Sequence, residues 1–180
     1  MAVAVAVALA VAGAAAPGRE GDGARAGGAE GSEGGSRAGG LAVVAEYLSA
    51  LGIDDEAYTL MNGSGLSLDS QIAPLHLTAV LLDMATDRRV GPEFIASLSI
   101  AGQDGTLSRR LDDAPGRLRG KTGTINGIHC LTGYVESDQG EMFAFAFLVN
   151  DVSGGLGKVK TLHDGFARKM FTAGEDRGSK

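Results

Sequence analysis

The pattern of apolar and polar positions divides this chain near residue 40. Beyond it, Leu41, Val44, Ala45, Leu48 and Leu51 recur at helical spacing and Gly52 follows as a stop, which predicts an amphipathic helix over 40–51. Residues 58–61 read as a short extended piece running into the turn cluster Asn62-Gly63-Ser64-Gly65. A second helix is predicted over 73–85, with Pro74 in its first turn. Leu75, Leu77, Val80, Leu81, Leu82 and Met84 make it apolar nearly all round, so it is expected to be well buried. A shorter helix over 92–98 and a polar connection over 102–116, containing Asp104-Gly105-Thr106, come next.

Period-two segments then take over. Residues 117–124, 128–136 and 141–150 read as three consecutive antiparallel strands, the last two joined by the turn Ser137-Asp138-Gln139-Gly140. The last strand is apolar on both faces, its Phe residues alternating with Ala, and is expected to be central and covered on both sides. A terminal helix follows, with Leu156, Val159, Leu162, Phe166 and Met170 on one stripe as cover for one side of the sheet. The fold class is therefore α+β, an antiparallel sheet with flanking helices, occupying 41–175.

The first forty residues belong to a different class. Residues 2–16 form an Ala/Val run too short to cross a bilayer as a helix and without the Lys or Arg that opens a signal peptide. Ala14-Ala15-Ala16 mimics a cleavage site, with Pro17 a poor neighbour to it, so export remains one of two readings. Residues 18–40 are rich in Gly, Ala, Glu, Ser and Arg, the composition of a flexible linker. No stable membrane span is predicted anywhere.

Charge and cysteine content narrow the chemistry. At 180 residues and 18.2 kDa the chain has the size of one domain, and a net charge of −6 argues against nucleic acid as a partner. Within that acidic whole, Arg109, Arg110, Arg117, Arg119 and Lys121 cluster, which suits either a small anionic ligand or a solvated loop. Cys130 is alone, which excludes an internal disulfide and a cysteine zinc site, and it reads as a buried small residue. His76, His129 and His163 are too widely spaced for a local metal motif, so no metal is expected.

The candidate chemistry is concentrated in Lys121-Thr122-Gly123-Thr124. A lysine supplies a cation for a substrate carboxylate and a developing oxyanion, a Thr hydroxyl can hydrogen-bond that carboxylate, and Gly lets the ligand approach the backbone. On its own the triplet reads more readily as a solvated turn before a strand. Two other motifs fail on their residues. A P-loop needs Gly where Pro115 stands, five positions before Gly120, which leaves nucleotide binding a minor alternative. A hydrolase nucleophile elbow needs glycines two positions either side of serine, whereas those around Ser64 are adjacent to it.

Several blocks together carry a resemblance. Asn62-Gly63-Ser64-Gly65-Leu66-Ser67, Ile100-Ala101-Gly102-Gln103-Asp104-Gly105-Thr106-Leu107, residues 116–124, Gly133-Tyr134-Val135 and Phe147-Leu148-Val149-Asn150 resemble, in order and spacing, the C-terminal part of the D-alanyl-D-alanine carboxypeptidase/endopeptidase family of penicillin-binding proteins. The resemblance covers about residues 32–173. It implies part of a β-lactamase/transpeptidase-like domain in a periplasmic or otherwise exported serine peptidase, acting on peptidoglycan stem peptides, acylated by β-lactams and using no cofactor. K-T-G is the third motif of such enzymes, after S-x-x-K and S-x-N. By this resemblance Lys121, Thr122 and Gly123 hold the terminal carboxylate of D-Ala-D-Ala or of a β-lactam, and the Thr124 N–H is one oxyanion donor. Ser64 and Ser67 would lie near the site without being the nucleophile.

The departures are as informative. No serine here has a lysine three residues on or an asparagine two residues on, so the serine and its base are missing from this sequence. Leu68 stands where relatives of this kind are expected to carry an arginine for an acidic stem residue. The rival to an enzyme is a non-catalytic binder of peptidoglycan peptides or β-lactams. A sheet lacking part of its cover is also expected to be marginally stable and prone to associate.

Overall fold

A computed structural model describes residues 36–173. The expectations for residues 1–35, the apolar run and most of the Gly-rich segment, lie outside the described residues. The elements run α1 (Arg37–Ala50), α2 (Pro74–Thr86), α3 (Gly91–Ala96), β1 (Ser99–Ile100), β2 (Leu118–Ile125), β3 (Ile128–Glu136), β4 (Met142–Val149) and α4 (Leu156–Phe171). The strands form one antiparallel sheet in the order β1-β2-β3-β4. α1 to α3 lie on one face and α4 on the other.

Local chemistry explains the helix starts. α1 begins three residues earlier than the apolar spacing indicates, because Ser36 caps it: the Ser36 Oγ accepts from the Gly39 N–H at 3.0 Å. Pro74 opens α2, where the missing N–H costs nothing. That helix buries Leu77, Val80, Leu81 and Met84 against the Ala face of β4, a contribution of about 1.5–3 kcal/mol for each side chain. Contrary to the all-round burial expected, Leu75 and Leu82 are 73% and 56% exposed.

β3 is the spine of the sheet. Tyr134 points into the α1–α3 core and donates its hydroxyl to the Leu81 carbonyl, and burial raises its pKa. Leu131 and Val135 point the other way, against Ala167 and Phe171 of α4. Asn126 and Gly127, with φ of 41° and 79°, join β2 to β3 as a two-residue hairpin turn, which fixes the register Ile125↔Ile128 to Leu118↔Val135.

Two further expectations are corrected. β4 is apolar on both faces and covered on both by helices, yet within the sheet it is the last strand, paired with β3 alone among the described residues. The stripe that α4 buries is Val159, His163, Ala167 and Phe171. Leu162 and Phe166 are instead 50% and 46% exposed, because α4 sits over β3 and turns them past the rim of β4, where Phe166 meets Phe147 at 5.4 Å between ring centroids.

Candidate functional site

β1 is so short that only Arg119 and Gly120 of β2 have partners on it, and among the described residues the edge of β2 is open from Lys121 onward. The ladder determines which residues use that edge. The Glu136 N–H donates to the Arg117 carbonyl and the Ala101 N–H to the Leu118 carbonyl, each at 2.9 Å. Successive residues of an antiparallel strand turn their N–H and C=O groups to opposite edges. Counting on in twos, Lys121 and Gly123 bond toward β3, while Thr122 and Thr124 offer their backbone groups to the open edge. Side chains alternate between faces as well: Lys121 shares a face with Thr132, and Thr122 and Thr124 share the α4 face with Leu131 and His129.

Three other segments converge on this edge around a cavity of about 430 Å³. The first is the loop Ser64-Gly65-Leu66, the second carries Thr106 and Arg110, and the third is the start of α4 with Leu156, Val159, Lys160 and His163. The first loop is tied off by the bridge Thr59↔Gln71 and folded around Asn62, whose Oδ1 accepts from the Gly65 N–H at 3.1 Å and from the Ser64 hydroxyl at 2.9 Å. The Ser64 Oγ in turn accepts from the Leu66 N–H, so its hydroxyl is committed to the loop's own turn. Ser67 does not line the cavity, and its Oγ accepts from the Asp69 N–H at 3.3 Å. Leu68 lines a separate cavity on the far side of the loop.

The lining is cationic. Lys121, Arg110 and Lys160 border the cavity, and among the described residues no carboxylate does. Lys121 is half-buried, its Nζ donating to the Thr122 carbonyl at 2.6 Å. Arg110 is held by Asp164 of α4, which accepts from both Nε and Nη2, the shorter contact being 2.6 Å. Both side chains are largely buried, at 10% and 15% exposure, so Arg110→Ala strands a carboxylate against α4. It is expected to lower unfolding stability by about 1.5–3 kcal/mol, read as a shift in urea midpoint at unchanged slope.

The sequence cluster of basic residues does not survive folding as one patch. Arg117 pairs with Asp138 at 2.6 Å and lies over the Phe171 ring, and Arg117 and Arg119 border a different cavity. Of the five, Arg110 and Lys121 reach the site.

Beneath the cavity, His163 is buried and stacked on Phe147 at 5.6 Å, with no hydrogen-bond partner for Nε2 among the described residues. Burial first, then the Arg110 guanidinium, push its pKa down to about 4 against the opposing pull of Asp164. His129, next to it in the wall, places Nδ1 3.3 Å from the Thr124 hydroxyl. The lone cysteine, Cys130, is buried as expected. Among the described residues, no three His, Cys, Asp or Glu side chains are grouped so as to hold a metal ion. The near P-loop runs into β2, and no helix opens after Thr122, so the phosphate cradle that motif requires is not formed.

The fold thus gathers Lys121, Thr122, Gly123, Thr124 and Ser64 and leaves Ser67 out. It adds Thr106, Lys160 and His163, which the sequence reading did not single out for the site.

Comparison with known proteins gives a consistent assignment. The sequence signature of the D-Ala-D-Ala carboxypeptidase 3 (S13) family matches residues 24–168. A D-alanyl-D-alanine carboxypeptidase of Actinomadura sp. (strain R39) is 37% identical over 122 residues, 64% of this chain and 22% of that protein. The crystal structure of penicillin binding protein 4 (dacB) from Haemophilus influenzae, complexed with a novel β-lactam, superposes with a TM-score of 0.64 at 27% identity, covering 76% of this chain and 34% of the other. A class A β-lactamase from Bacteroides cellulosilyticus superposes with a TM-score of 0.57 over 74% of this chain and 53% of its own, at 19% identity, a likeness of fold alone. These matches bear out the α+β, β-lactamase-like fold. The chain spans between 22% and 31% of the length of the curated relatives it matches.

Proposed function

The chain belongs to the D-Ala-D-Ala carboxypeptidase 3 (S13) family, and on that premise we propose that it carries the carboxylate-anchoring half of a serine-type D-Ala-D-Ala peptidase site. The observation that supports this reading most directly is that, among the described residues, the edge of β2 is open and faces a cavity lined by cations and free of carboxylates. A peptide ending in D-Ala-D-Ala lies along that edge with its terminal carboxylate against Lys121, the Thr122 hydroxyl and the unobstructed backbone at Gly123. The scissile carbonyl then falls by Thr124, whose outward N–H donates to the oxygen as it gains negative charge, a contribution that elsewhere is worth about 10²–10³ in rate.

Hydrolysis needs more than this half. A serine must attack the carbonyl, the tetrahedral adduct must collapse with loss of the terminal D-Ala, and water must release the acyl group. The 180 residues hold neither S-x-x-K nor S-x-N, and the Ser64 hydroxyl is engaged in its own turn. By themselves, therefore, these residues bind D-Ala-D-Ala peptides or β-lactams reversibly, and acylation belongs to a polypeptide that also carries the serine and its lysine. Substrates of this kind lie outside the cytoplasmic membrane, which makes the working location extracytoplasmic. Among the described residues no helix is long and apolar enough to cross a membrane.

Two measurements on the 180-residue chain test the proposal. Intact mass after incubation with excess benzylpenicillin is expected to match the untreated control, and a stoichiometric adduct would show an activated serine and overturn the assignment. Titration with N-acetyl-D-Ala-D-Ala is expected to show reversible binding that Lys121→Ala weakens by about tenfold or more, as for loss of a charge-assisted hydrogen bond.

A further inference from the structure

Thr106 lies in the Asp-Gly-Thr stretch between β1 and β2, outside the Lys121–Thr124 anchor. Its placement is tightly determined. The Asp104 Oδ1 accepts from the Ile100 N–H at 2.6 Å, the Leu107 carbonyl accepts from the Gly102 N–H at 3.0 Å, and the Leu107 side chain is fully buried. Gly105 has φ of 52°, and a Cβ there would sit 2.3 Å from the Ser99 Oγ, so the turn presses close against β1. Held this way, the Thr106 hydroxyl lies 2.8 Å from the Thr122 hydroxyl, and both border the cavity.

A hydroxyl has one proton to give and two lone pairs to accept with. In the empty site Thr122 can spend its proton on Thr106. A carboxylate on the β2 edge accepts only, and it needs that proton. The exchange takes no heavy-atom movement: Thr106 turns its own proton onto Thr122 Oγ1, and Thr122 turns its proton onto the ligand. A donor that is itself accepting a hydrogen bond is polarised and donates more strongly.

We propose that Thr106 is a positioning residue for the anion-binding edge, donating to Thr122 Oγ1 so that the Thr122 proton is aimed at a bound carboxylate. This rests on the reading of Lys121 and Thr122 as the carboxylate anchor. It adds a requirement that the K-T-G triplet does not contain: a hydroxyl sixteen positions earlier, delivered by a turn that only the folded sheet brings into place.

The test compares N-acetyl-D-Ala-D-Ala with its C-terminal carboxamide, which lacks the charge, on the full chain. Thr106→Val keeps the side-chain shape and removes the hydroxyl, and it is expected to cut the preference for the carboxylate over the carboxamide by about fivefold, the size of one net hydrogen bond. Thr106→Ser is expected to restore the preference, and affinity for the carboxamide is expected to be alike in all three proteins. Without ligand, the three-bond couplings that report Thr122 χ1 are expected to show one rotamer in the unaltered chain and in Thr106→Ser, and averaging in Thr106→Val. If Lys121→Ala abolishes the preference while Thr106→Val leaves it intact, the positioning role is overturned and the anchor stands. If the unaltered chain shows no carboxylate preference at all, the anchor itself fails and this inference with it. A loss that Thr106→Ser does not repair would mark the residue as structural and equally overturn the proposal.

Discussion

Gly133→Ala is expected to destabilise the protein severely. Gly133 faces Gly120 across the β2–β3 ladder, and Phe145 lies opposite it on the other side. A Cβ at Gly133 would lie 2.0 Å from the Arg119 carbonyl oxygen, 2.6 Å from the Gly120 Cα and 3.0 Å from the Arg119 carbonyl carbon. All three atoms are backbone in the middle of a sheet, so none can swing aside as a side-chain tip would. Relief requires β2 and β3 to separate, which breaks ladder bonds on both sides and lifts the strand bearing Lys121 to Thr124. Overpacking of this severity, together with the lost ladder, is expected to cost about 3–5 kcal/mol, a large part of the 5–15 kcal/mol that holds a domain of ordinary stability together. Gly140→Ala is the control. Gly140 also has a positive φ, 77°, but open space where its Cβ would go, so its loss should stay near 1 kcal/mol. Urea unfolding followed by far-ultraviolet circular dichroism measures both. A Gly133→Ala protein as stable as the control would show that the two strands are not packed this closely.

The second large effect is a loss of stability in mild acid. His163 is buried among Phe147, Val159 and Ala167 in its neutral form, with its pKa lowered from 6.5 to about 4. The unfolded chain therefore binds this proton at a higher pH than the folded chain does. The stabilisation is complete above pH 6.5, drains away as pH falls toward 4, and changes no further below that. Over this window the fall is about 2–3 kcal/mol, with a slope that approaches about 1.4 kcal/mol per pH unit. His163→Phe keeps a ring against Phe147 and removes the titration, so its stability is expected to be flat over the same window. Asp87 and Asp113, whose carboxyls are held below 3.8 by bonds from the Arg89 backbone and the Arg168 side chain, lose their contribution only at lower pH and do not confuse the comparison. Chemical unfolding of both proteins at half-unit steps from pH 4 to 7 decides it. Parallel curves would show that His163 is not what titrates.

What could be read in advance, and what could not, follows from the direction in which each signal acts. Pro74, the apolar spacing of Leu77 to Met84 and the Phe/Ala alternation of β4 are local consequences of one element lying against one surface, and each was legible. The position of β4 in the sheet was not. An apolar residue on each face says that something lies above and below the strand, and α2 and α4 do. It carries no information about the in-plane neighbour, because that contact is made by backbone groups every residue shares. β1, at two residues, is too short to show a period. On α4 the residue fully buried against the sheet is the small Ala167, while the larger Leu162 and Phe166 are half-exposed, so side-chain bulk does not mark the buried stripe. In the site, Lys121 to Thr124 was visible because chemistry constrains residue types at adjacent positions. Thr106 was hidden because a hydrogen bond across sixteen positions leaves no spacing rule, and Asp-Gly-Thr reads first as a turn.

Among the described residues β4 pairs with β3 alone, and that bears on how the chain behaves as a solution is concentrated. Its eight residues contain no charge, proline or glycine to discourage another strand, and half-exposed Phe166 packs beside it on Phe147. The cavity lies at the opposite side of the same sheet, two strand spacings or about 10 Å away. Capping one rim leaves the other untouched. Material that has joined rim to rim through β4 would therefore still titrate with one ligand per chain, and a full count of binding sites would be no guarantee that the sample is monomeric.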